Sequence, residues 1–305
     1  MSTETLADGG AFVRPRSRMG RMWRGGLQGS EFTWAVAFTV PYIVLFLAFV
    51  AYPVAFGAWL GHEPHLYEEL ADDPIFQKTI VNTILYVGIG VNLKMFGALL
   101  LSGFFMRRGW WVKGLLLVYV LPWALPALPA FISIHWMLNG EWGLVNNFLF
   151  TVFGIDGPGW LDNSRWLSLG AVIVSHIWKW MPFWTVILLA GRMAIPQELY
   201  EAAEVDGATG LTRFTHVTFP LLANLYLVCT LLSTIFTLGD FNSVFFVSGG
   251  GPALSTHVLA TLGIRNAFEV ARPELGVAAV LTALPLMIPL VLILMRKLRT
   301  TEVTL

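Results

Sequence analysis

Three ionisable side chains stand inside long apolar runs: Lys94, Lys179 and Asp240. A charge at the centre of a membrane-spanning helix costs at least about 2.5–3.5 kcal/mol, so each must find a partner, water or a ligand. Lys94 falls near the middle of its run. Its ammonium suits a carboxylate on a neighbouring subunit, a substrate, or a hydrated path. Lys179 lies between Trp178 and Trp180 and reads as an inward-facing structural group or as one that snorkels along those rings. Asp240 either ties the outer end of its run to a neighbour or meets substrate. Polar and aromatic residues stand in or beside the same runs: Asn82, Tyr86, Asn92, Trp136, His176, Trp180, Asn242 and Ser243. A polyhydroxylated solute needs such a set, with hydrogen bonds at its edge and rings against its apolar face. Each residue alone reads first as packing. With the three ionisable groups they form the candidate lining of a solute path.

Nothing in the chain assembles into a catalytic centre. The Gly-x-x-x-x-Gly-Lys-Ser/Thr phosphate loop is absent from the sequence, so a nucleotide site of that kind is not expected. Gly249-Gly250-Gly251 lacks the lysine and reads as a turn. Of six histidines only His62 and His65 are closely spaced, in an acidic stretch where solvation is the simpler reading. No metal site is expected. The single cysteine, Cys229, permits no intrachain disulfide and reads as a small packing residue. With 19 basic and 19 acidic residues the formal net charge is zero, which gives no reason to expect a nucleic-acid partner.

The elements that must position these residues are helices in a membrane. The chain is 56% hydrophobic and 12% charged, with mean hydropathy +0.68, whereas soluble domains carry roughly 25% charged residues. A span needs about 20 apolar residues. Six segments meet that length, at 34–60, 80–106, 112–137, 167–192, 219–247 and 276–295. Pro122, Pro126 and Pro129 predict a kinked or broken third span. The expected fold is therefore an all-α integral membrane protein of six transmembrane helices. Residues 1–30 read as a disordered basic tail near anionic headgroups, 31–299 as one membrane domain, and 300–305 as a short cytoplasmic end. Between spans three and four, Trp142, Leu144, Val145, Phe148, Leu149, Val152 and Phe153 predict an interfacial amphipathic helix.

Orientation follows from the basic residues. Arg14, Arg16, Arg18, Arg21 and Arg24 precede span one; Arg107, Arg108 and Lys113 join spans two and three. Arg192 and Arg213 flank the next connection on that side, and Arg296, Lys297 and Arg299 follow span six. The opposite side has only Lys78, Arg165, Arg265 and Arg272, and is acidic at Glu63, Glu68, Glu69, Asp72 and Asp73. Both termini, and the connection around Glu201, are thus expected in the cytoplasm.

That connection is the most specific signal in the chain. Pro196 opens a helix, good helix formers continue it through Val205, and Gly207 stops it. Glu201-Ala202-Ala203, then Gly207, Val217 and Phe219-Pro220 resemble the Glu-Ala-Ala loop of permease subunits in binding-protein-dependent ABC importers. Ile177-Trp178-Lys179-Trp180-Met181-Pro182-Phe183, Gly143-Leu144-Val145-Asn146-Asn147-Phe148-Leu149 and Phe246-Val247-Ser248-Gly249-Gly250-Gly251-Pro252 extend the resemblance to the carbohydrate-uptake subfamily, nearest the maltose F-type partner. Val217 and Phe219 replace the more usual Ile and Leu, and Gly263-Ile264-Arg265 stands where an aromatic is more typical.

The resemblance implies that Glu198, Glu201, Ala202, Ala203, Asp206, Gly207 and Ala208 form a cytoplasmic coupling helix. It implies two separate ATPase subunits that bind ATP and magnesium, leaving no cofactor in this chain, and a second permease subunit. It further implies a periplasmic or lipid-anchored binding protein delivering a sugar, polyol or similar solute through a bacterial or archaeal cytoplasmic membrane. An ion or solute channel would leave the Glu-Ala-Ala loop unexplained.

Overall fold

The computed structural model describes residues 31–302. The basic tail expected at 1–30 and the final residues 303–305 lie outside the described residues. The chain divides into two compact units, Met1–Gly57 and Ala58–Leu305. In the first, α1 (Glu31–Phe46) passes through a π turn (Leu47–Ala51) into α2 (Tyr52–Leu60), which continues past the division. The whole run Trp34–Leu60 is long and apolar enough to cross a bilayer.

In the second unit, α3 (Pro64–Asp72) precedes α4 (Pro74–Phe105), α5 (Trp110–Ala124), α6 (Ala127–Met137), α7 (Leu144–Phe153) and α8 (Arg165–Met193). Then follow α9 (Gln197–Val205), α10 (Gly210–Arg213), α11 (Phe219–Leu238), α12 (Asn242–Ser248), α13 (Leu259–Ile264), α14 (Pro273–Leu281) and α15 (Ala283–Glu302). No strand occurs among the described residues. Five helices are long and apolar enough to span, and a sixth span is reached if α5 and α6 count as one. The pairing of α4 with α8 is the most extensive, with α11 packed on α4 and α5 on α8. Tyr86, Met95, Ala98, Val172 and Leu188 are buried in this centre. Pro64 starts the short α3, and Leu66 and Leu70 bury its inner face. Arg272 pairs with the exposed Glu69 of this helix and holds its carboxyl below the usual range.

The third span breaks between α5 and α6, which meet at 96°. The cause is legible residue by residue. Proline has no amide hydrogen, so Pro126 leaves the carbonyl of Pro122 without its helical donor, and Pro129 does the same to Leu125. Lys179, buried on α8, donates to Pro122 O at 2.7 Å and to Leu125 O. A single ammonium thus satisfies the two carbonyls that the prolines orphan.

Span five also breaks, earlier than the sequence suggested. Its run ends at Leu238, and α12 restarts after Gly239, Asp240 and Phe241. The Asp240 carboxylate accepts the Ser243 amide at 3.2 Å, giving the new helix a side-chain acceptor in place of the continuing ladder. Beyond it, Gly263 on α13 and Gly276 on α14 cross closely. A Cβ on Gly276 would lie 2.5 Å from Gly263 O. Position 263, in the stretch where an aromatic is more typical of the family, is therefore closed to larger side chains by backbone contact.

Replacing Lys179 with Met should leave both orphaned carbonyls unpaired, at about 1–3 kcal/mol each. The expected result is a lower melting temperature of the detergent-purified protein, measured by tryptophan fluorescence. An unchanged melting curve would show that the corner needs no such cap.

Candidate functional site

The interior of α4, α8 and α11 carries one continuous polar relay. Lys94 on α4 is 1% exposed and donates to His176 Nε2 on α8 at 2.9 Å and to Thr237 Oγ1 on α11 at 3.1 Å. With Lys94 as an ammonium, which has only donors, Nε2 is the accepting nitrogen and the proton sits on Nδ1. His176 Nδ1 is 2.7 Å from Asp240 Oδ2, to which it donates. The Tyr86 hydroxyl donates to the same oxygen at 2.7 Å, and Ser243 Oγ donates there too. Thr237 passes its own hydroxyl hydrogen to Ser233 O at 2.7 Å. Every group is therefore donor or acceptor in one consistent direction, from a cationic Lys94 through neutral His176 to an anionic Asp240.

This relay borders a cavity of about 500 Å³. Lys94, His176, Thr237, Asp240 and Asn242 line it together with Trp123, Trp180, Phe183, Trp184, Phe236 and Phe241. Ring faces and hydrogen-bonding groups in one cavity are the two elements that a polyhydroxylated solute requires. Of the residues expected on a solute path, Lys94, His176, Trp180, Asp240 and Asn242 are brought together here. Tyr86 stands directly behind Asp240 and is fully buried.

The others lie elsewhere. Asn82 is fully buried but donates to Ser255 O and His257 O at 2.8 Å each, while Arg165 Nε donates to its Oδ1 at 3.0 Å. It fastens the segment between α12 and α13 to α4. Lys179 caps the α5–α6 corner. Asn92 is exposed and bonds back to Gly88 O at 2.6 Å. Trp136 is half exposed and stacks on Trp142 at 5.0 Å. Lys94, for which an acceptor on another subunit was one reading, has its acceptors within this chain. The sequence reading missed Trp123, Phe183, Phe236, Phe241 and Thr237, because aromatic and hydroxyl residues in apolar runs carry no mark of which face they occupy.

The helix after α8, α9, is exposed along most of its length. Glu198, Glu201, Ala202, Val205 and Asp206 of this turn are exposed, whereas Ala203 is buried beneath them. Gly207 has φ +79 and ends the helix in a left-handed turn. Its amide reaches Glu204 O at 3.0 Å and the half-buried Ala208 reaches Ala203 O at 2.8 Å, the paired bonds of a Schellman cap. Behind this helix, buried Arg192 donates to Ser102 Oγ at 2.8 Å and Leu99 O at 2.9 Å, and lies over the Phe214 ring at 5.5 Å. The ends of α8 and α4 and the segment following α9 are thereby joined.

The class of protein these features define is a multi-pass helical membrane permease. The chain belongs to the family of binding-protein-dependent transport system inner membrane components, whose model matches residues 95–298. It is 33% identical over 257 residues to the sulfoquinovosyl glycerol transport system permease protein of Agrobacterium fabrum, covering 78% of this chain and 81% of that one. It is 36% identical over 145 residues to the trehalose/maltose transport system permease protein of Thermococcus litoralis, 48% of each chain. A chain of the bacterial alginate ABC transporter in complex with alginate pentasaccharide-bound periplasmic protein shares the fold, with TM-score 0.78, 23% identity, and 87% and 93% of the two chains covered.

His176→Leu should take from Lys94 one of its two acceptors and from Asp240 one of its donors. A hydrogen bond to a charged group contributes about 1.5–3 kcal/mol, so the variant should melt below the wild type, whereas Asn92→Leu should match it. Equal melting temperatures would mean the relay contributes nothing to folding.

Proposed function

We propose that this permease carries a sugar, polyol or similar carbohydrate inward, and that the cavity walled by the Lys94–His176–Asp240 relay is its part of the path. The observation that carries this reading is the gathering of ring faces and hydrogen-bonding groups around about 500 Å³, a volume in the range of small-ligand pockets. The relatives named for sulfoquinovosyl glycerol and for trehalose/maltose transport support it. A second permease completes the path, and an external binding protein, periplasmic or lipid-anchored, delivers the solute. Two ATPase subunits supply the nucleotide chemistry. Both termini face the cytoplasm of a bacterial or archaeal cell.

The exposed face of α9 docks on an ATPase subunit. Ala202 and the turn at Gly207 let another backbone approach closely, and Glu198, Glu201 and Asp206 offer carboxylates to its cations. ATP-driven approach of the ATPases then biases the bundle toward its outward-open state, through the preferential binding of one conformation over the other.

Glu201→Lys reverses a docking charge, and Gly207→Asp forces a side chain into a left-handed backbone position. Both variants should insert normally yet lose most binding-protein-stimulated ATP turnover and uptake in proteoliposomes; undiminished stimulation in both would remove the docking role. The orientation has its own test. A reporter active only outside the cytoplasm should be silent when fused after Leu305 or within 207–212, and active near Asp72 or Asn163. One reversed fusion would break the topology.

A further inference from the structure

The relay has a property that hydrogen-bond satisfaction alone does not require: its two charges cancel along a single chain of donors. With Lys94 as the cation and Asp240 as the anion, His176 bridges them as a neutral ring, accepting at Nε2 and donating at Nδ1. The Asp240 side chain is 8% exposed and Lys94 1%, so bulk water screens neither charge. Both ends nevertheless line the cavity. Lys94 gives two of its three hydrogens to His176 and Thr237, leaving one for an incoming oxygen. Asp240 Oδ1 accepts only the Ser243 amide and keeps a lone pair. The cavity can therefore donate to one hydroxyl and accept from another while its wall stays electrically neutral. Among the described residues of this chain, no other Lys, Arg, Asp or Glu lines this cavity.

From this arrangement we propose that Lys94, His176 and Asp240 form a charge filter, which makes the path selective for uncharged saccharides over carboxylated ones. The proposal rests on the reading of this cavity as a saccharide path. A neutral saccharide lays its apolar face on the rings and divides its hydroxyls between Lys94 and Asp240. A carboxylated saccharide meets an ammonium whose charge Asp240 already offsets and, in Asp240 itself, a carboxylate of its own sign. In a poorly hydrated site, such like-charge juxtaposition is screened little. Lys94 and Asp240 are thus specificity-determining residues as a pair, and the sign of their sum sets the preference.

The test uses the complete importer in lipid nanodiscs, nucleotide-free and without binding protein, so that the permease alone selects. Saturation-transfer NMR titrations with trehalose and with a uronic-acid disaccharide give the ratio of acidic to neutral affinity. In the wild type that ratio should be well below one. Asp240→Asn leaves the ammonium uncompensated and should raise the ratio about tenfold or more, the order expected for one unit charge in a partly hydrated site. Lys94→Met should lower it, and the double variant should return it close to the wild-type value. A neutral preference in the wild type with a ratio that stays within twofold across all four proteins would overturn the filter and leave the saccharide path standing. Equal wild-type affinity for both sugars would do the same. Absence of any saccharide signal in the wild type would overturn the path reading, and the filter with it. If one single variant fails to assemble, the opposite shift required of the other still decides the question.

Discussion

Hydrocarbon offers a buried polar group neither donor nor acceptor, and this chain answers that constraint from its own side chains. The three buried basic groups of the central helices each terminate on a defined set of acceptors. Lys179 meets the carbonyls of Pro122 and Leu125. Arg192 meets Ser102 and Leu99 O. Lys94 meets His176 and Thr237. Each of these pairings joins different helices, so satisfying the charges also fixes how α4, α5, α8 and α11 sit against one another. The cavity exists because the helices are held at those points while its ring-lined wall needs no polar partner.

The same constraint explains the two broken spans. Proline at 126 and 129 would be costly in an isolated helix, since each removes a ladder bond and bends the chain. The lysine on α8 converts the defect into a stable corner. At the other break, Asp240 serves two structural tasks with its two oxygens: Oδ1 takes the Ser243 amide that begins α12, and Oδ2 closes the relay from His176 and Tyr86. Irregular backbone in a membrane protein is tolerated where it is buried in protein or lines a cavity. The Asp240 break does line one.

The platform at α9 and the cavity are linked by continuous covalent and packed structure. α8 carries His176 and Trp180 in the cavity and Arg192 at the platform end. α11 follows the platform through the π turn Phe214–Thr218 and ends beside Asp240. α8 and α11 thus run from either side of α9 to residues that line the cavity. This gives the proposed coupling a mechanical route through identifiable elements.

Much of this was legible without coordinates. Apolar run length announced the spans, three prolines announced the third-span break, and the Glu-Ala-Ala spacing announced a helix ended by Gly207. These are local properties: hydrophobicity, a missing amide hydrogen and a left-handed turn act over a few residues. The facing of side chains was not legible. Asn82 and His176 look alike as polar residues in apolar runs, yet one fastens the segment before α13 and the other sits at the cavity wall. Lys94 and Lys179 look alike as mid-span cations, yet one joins a charge relay and the other caps a corner. Partners separated by 82 and 57 residues in sequence decide those roles. Only the packing of α4, α5, α8 and α11 sets which helix faces meet, because a helix's own sequence fixes its apolar surface but not the neighbour that surface finds.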